Sequence, residues 1–119
     1  IEMVVNVFPR HHQQESLKKL KKEKEEMIKR LGPNGVLLIP TLPTTAFHHR
    51  EGLIRFLDVG NTCVFNVMGF PATHIPLGPS TDGLPLGVQC VAAPGNDHLT
   101  ISVAMYLENE AKVAKWTPP

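Results

Sequence analysis

An α/β fold is the class this sequence predicts, and three features predict it. Helix and strand signals follow one another in the order helix, strand, helix, strand, strand, helix. The run "GVLLIPTLP", residues 35–43, is short, continuously apolar and bounded by Gly and Pro, the pattern of a strand covered on both faces. A helical pattern precedes it through the tight connection "GPNG", which fits the helix-to-strand half of an α/β unit.

Residues 14–31, "QESLKKLKKEKEEMIKRL", give the clearest helix, with Leu17, Leu20, Met27, Ile28 and Leu31 on one narrow stripe that Lys24 interrupts. Glu25 with Lys29 and Glu26 with Arg30 are favourably ordered pairs, each worth about 0.2–0.5 kcal/mol. Gly32-Pro33 ends the helix. The strand follows at about 35–40, and residues 44–56 are polar and irregular, a surface loop. Residues 58–68 carry Val59, Cys63, Phe65, Val67 and Met68 with no charged face, so a buried helix is expected, stopped by Gly69 with Pro71 just beyond. "ATHIPLG" and "LPLGVQCVAA" read as a hairpin over 72–93 around the turn formers "PSTDG". Asn96 or Asp97 caps a terminal helix over about 97–111, with Leu99, Val103, Tyr106 and Leu107 as its apolar stripe.

The totals bound the function. A chain of 119 residues holds one domain at most, and 42% hydrophobic content argues against wholesale disorder. Twelve basic residues against 11 acidic ones leave a net charge of +1, so no general attraction to nucleic acid or anionic lipid follows. The interleaved charges of the first helix make a solvated face rather than a binding patch. Cys63 and Cys90 lie in apolar runs and are expected to be reduced and buried, which fits an intracellular reducing compartment. No apolar run is long enough to span a membrane. The opening "IEMVVNVF" reads as the interruption of something longer, and about three strands, two of them wanting cover, suit a larger sheet.

No catalytic constellation is visible in these residues. Ser16, Ser80 and Ser102 fall on the charged helix, in a turn and in the last helix, and none sits in a Gly-rich elbow. His11-His12 and His48-His49 are adjacent pairs whose side chains point apart, without a carboxylate or thiol at ligand spacing, so no metal is expected. His74 in a strand and His98 at a helix start suit structural roles, and Tyr106 and Trp116 suit packing. No phosphate loop or aromatic-basic surface is present, so neither a cofactor nor nucleic acid is expected.

One long stretch does carry a family pattern. "NTCVFNVMGFPATHIPLG", then "GLPLGVQCVAAPGNDHLTISVAMYLE", resembles the C-terminal part of the amidase signature enzymes. Asn66, Gly69, Pro71, Pro76, Gly78, Gly83, Pro85, Gly87, Gln89 and Glu108 match that pattern in order, and "GVLLIPTLPTTA" is similar to the preceding family strand with its P-T-x-P loop. Within the family the phrases are most like fatty-acid amide hydrolases of the second type.

The resemblance implies a fold and a chemistry. The chain would be the C-terminal part, over 1–119, of a single amidase domain, built on a mixed β-sheet flanked by helices. Members hydrolyse amides with a Ser-Ser-Lys relay, and neither the Gly/Ser-rich signature nor the lysine element matches anything here. The catalytic residues are therefore expected outside this chain, which alone would be inactive. The helix at 58–68 corresponds to one lining the acyl channel, which makes Val59 and Cys63 the substrate-binding candidates. Implied partners are a fatty-acid amide and the upstream part of the same domain, with self-association where apolar faces stay uncovered. Membrane association follows only by analogy. The rival readings are an amidase or amidotransferase subunit for small or peptidic amides, and a non-catalytic interaction module derived from the fold.

Overall fold

The long N-terminal helix is amphipathic only over its second half, and that half decides where it sits. The computed structural model describes residues 10–49, 51 and 60–110. Helix α1 runs Arg10–Leu31, beginning before the expected Gln14. Met27, Ile28 and Leu31 pack on the core, whereas Leu17 is exposed. Lys24 does not break the buried stripe but reaches past it. Its ammonium lies 6.0 Å from the Phe70 ring centroid. Arg30 pairs with Glu26 one turn back, an exposed pair of little energetic weight. The Gly32 N–H donates to the Ile28 carbonyl (2.9 Å), a single bond that closes the C-terminus.

Strand β1 (Val36–Pro40) leads through a loop toward α2 (Gly60–Met68), then β2 (Ala72–Pro79), β3 (Pro85–Ala92) and α3 (Asp97–Glu110). The sheet order is β1-β3-β2, with β3 antiparallel to both neighbours. Strands β1 and β2 are thus parallel to each other with β3 between them, so β1-α2-β2 is a split β-α-β unit. The α/β class holds, while every hydrogen-bonded pair among the described strands is antiparallel.

Helices cover both faces of this sheet. Leu37, Ile39 and Val91 share the face on which α1 and α2 pack, around Phe65 and Phe70. The other face carries Thr73 and Ile75 toward α3, where the Thr73 hydroxyl donates to Thr100 (2.8 Å) and Thr100 in turn to the Asp97 carbonyl (2.8 Å). Cys90, Val91 and Ala92 are fully buried because β3 is central and covered twice. Strand β1 lacks the expected cover on both faces: Leu38 is 47% exposed, since α3 lies over β2 and β3 and not over this edge.

The end of α2 follows directly from its sequence. Gly69 takes φ +70°, its N–H donates to Asn66 O (3.2 Å), and the Phe70 N–H donates to Phe65 O (2.9 Å). That is the two-bond Schellman ending, completed by an edge-to-face contact of Phe65 and Phe70 with centroids 6.3 Å apart. The hairpin turn is closed by Gly83 N–H to Ser80 O (3.0 Å) and Ser80 N–H to Leu84 O (2.7 Å). Leu77 is an extra residue between Pro76 and Gly78, a bulge that bends β2. Asn96 precedes α3, but its carboxamide donates to Pro33 O (2.9 Å), tying the helix start to the turn after α1.

Candidate functional site

Two features share the α2 side of the sheet: an apolar helix surface and a polar network beneath its first turn. Phe65 and Met68 turn α2 inward, which sends the opposite side outward. Gly60, Cys63, Val64 and Val67 recur at helical spacing on that outer side, with Val64 44% and Val67 61% exposed. The helix is therefore not buried all round. Its lack of charge measures the cover it requires, and the described residues supply cover on one side only.

Of the two substrate-binding candidates, Val59 lies outside the described residues. Cys63 lies on the exposed stripe, which corrects the expectation that both cysteines are buried. Cys90 is fully buried on β3, and burial pushes its thiol pKa up from the ordinary value, so less of the reactive thiolate forms. In the folded chain, one thiol should titrate rapidly with a small alkylating reagent, and a second only in denaturant. Mass mapping should place the first label on Cys63, and rapid labelling of Cys90 would contradict this packing.

The polar network joins four elements. Gln89, buried in β3, donates its amide N–H to the Asn61 carbonyl (2.9 Å), and Asn61 Nδ2 donates to Pro40 O (3.3 Å) at the end of β1. Directly across from Gln89 on β2 stands His74, whose Nδ1 is 2.7 Å from Thr41 Oγ1. Spacing alone does not disclose this network. Its trace in the sequence is the alternation that sets His74 and Gln89 on one face, next to a strand ending in Pro-Thr.

These groups can orient backbone and bind a polar ligand atom, but they make no nucleophile. Ser80 Oγ accepts the Leu84 N–H within its turn (3.2 Å), and Ser102 Oγ donates to the His98 carbonyl (2.7 Å). Ser16 is exposed on α1. No carboxylate among the described residues bonds His74, so the Thr41–His74 pair lacks the third group that an activated hydroxyl relies on. His48 and His49 are exposed in the loop after β1, and no cluster of three His, Cys, Asp or Glu suited to a metal occurs among the described residues.

Comparison with known proteins agrees with this geometry. The Amidase family model matches residues 3–101. Fatty-acid amide hydrolase 2 of Homo sapiens is 48% identical over 85 residues, which cover 71% of this chain and 16% of that protein. Fatty-acid amide hydrolase 2-A of Danio rerio is 38% identical over 108 residues, or 91% of this chain and 20% of that protein. Among solved structures, a glutamyl-tRNA(Gln) amidotransferase subunit from Thermotoga maritima superposes with a TM-score of 0.74 at 28% identity, covering 84% of this chain and 23% of that one. The chain thus spans a fifth or less of the two hydrolases it matches. With the family pattern spread over α2, both hairpin strands and α3, and with the same fold in a solved relative, the chain belongs to the amidase family.

Proposed function

We propose that this chain is the C-terminal portion of an amidase signature serine hydrolase that cleaves fatty-acid amides to a fatty acid and an amine. The Ser-Ser-Lys residues that attack the carbonyl and protonate the leaving amine would lie outside this chain. The observation that carries the reading is the outer surface of α2. Cys63, Val64 and Val67 form an apolar stripe that the described residues leave uncovered, suited to line the acyl part of a long-chain amide. The similarity to two fatty-acid amide hydrolases supports the same substrate class. A second reading, an amidase for small amides of the amidotransferase kind, is favoured by the structural likeness to a component of such an enzyme.

The test compares this chain with the complete reading frame that contains it, each assayed on a long-chain fatty-acid amide and on glutamine. Hydrolysis of the fatty-acid amide by the complete protein alone is the expected result. Release of ammonia from glutamine, with the fatty-acid amide untouched, would replace this reading with the second. Activity of the short chain would mean that it holds a nucleophile of its own.

A further inference from the structure

Thr41 just past β1, His74 on β2 and Gly87 on β3 form one joint. Thr41 is the first residue beyond β1, and its N–H donates to the Gly87 carbonyl (3.4 Å) while its hydroxyl meets His74 Nδ1 (2.7 Å). The imidazole occupies the space a side chain at position 87 would need. A Cβ there would stand 2.2 Å from His74 Cε1 and 2.6 Å from Nε2. Only glycine lets the ring reach Thr41. One residue earlier, Pro40 O receives the Asn61 side chain, and Asn61 O receives Gln89. The loop leaving β1 and the first turn of α2 are thereby fastened to the same stretch of β3.

We infer that His74 is a positioning residue which, through Thr41, fixes the start of the loop at 41–49, one residue from the Asn61 tie to α2, and so sets the fit of the site for the acyl part of its amide. The inference rests on the proposed amide hydrolase, and the loop at stake carries Leu42 and Phe47, both exposed apolar side chains. An imidazole with its hydrogen on Nε2 accepts the Thr41 hydroxyl proton at Nδ1. Losing the hydroxyl breaks that bond.

The experiment uses the complete protein with Thr41→Val, which keeps the shape of the side chain, and with His74→Phe, which keeps a ring and loses the nitrogen. Thr41→Val should speed amide hydrogen exchange across 41–49 by about tenfold, the weight of one hydrogen bond. It should raise KM for a long-chain fatty-acid amide by about the same factor with kcat within about twofold, and His74→Phe should change loop exchange and KM in the same way. Unchanged loop exchange in Thr41→Val overturns the joint, and this measurement requires no substrate. Faster exchange with an unchanged KM, or with kcat falling instead, overturns the role in substrate fit. A wild type that hydrolyses no fatty-acid amide overturns the substrate class, and with it the acyl fit, while the exchange result still decides the joint.

Discussion

Phe65→Ala should cost the chain about 3–5 kcal/mol, the range for emptying the site of a buried aromatic ring. Phe65 meets the edge of Phe70 and forms with it and Val91 the buried cluster against which Met27, Ile28 and Leu31 of α1 pack. It is also the buried side chain of α2, so the contact of that helix with the sheet depends on it. Its removal takes away burial and the aromatic contact that accompanies the end of α2. Domains of this size are held by about 5–15 kcal/mol, so the loss is large enough to unfold a marginal one. Urea midpoints at constant slope would measure it, with Val67→Ala as the control on the same helix. Val67 is 61% exposed, and its truncation should stay within about 0.5 kcal/mol. Equal costs for the two would mean that α2 is rotated from the orientation described.

The contrast between those two positions also marks what can be read in the sequence. The end of α2 is legible because Gly69 followed by Phe70-Pro71 leaves the chain few alternatives. The hairpin is legible because "PSTDG" separates two runs of strand formers. The pairing of β1 is not. A continuous apolar run indicates that a strand is covered and does not identify its neighbour, and the neighbour is β3, some fifty residues on, running antiparallel. Thr41 and His74 are 33 residues apart, and their bond exists only once β3 has inserted between β1 and β2. Gly87 matches a family glycine in the sequence, but its physical purpose, the seat of the His74 ring, requires the fold. Cys63 reads as buried for the same reason that α2 does: composition reports demand for cover, and supply depends on what else is folded around it.

That unmet demand predicts a substitution with opposite effects in two settings. Val64→Glu with Val67→Lys places an acid and a base one turn apart on the exposed side of α2. In this chain alone, the changes touch no buried contact and should leave stability within about 1 kcal/mol. They remove the centre of an exposed apolar stripe, so sedimentation velocity should show a concentration-dependent oligomer giving way to monomer. In the complete enzyme proposed above, the same stripe would be covered by the rest of the domain or by the acyl chain. Two charges buried there cost several kcal/mol, and the protein should lose soluble yield or hydrolysis of a long-chain amide by more than about tenfold. A complete enzyme indifferent to both charges would mean that α2 faces water in the finished molecule. The acyl-lining role of this helix would then fall, whatever the isolated chain does.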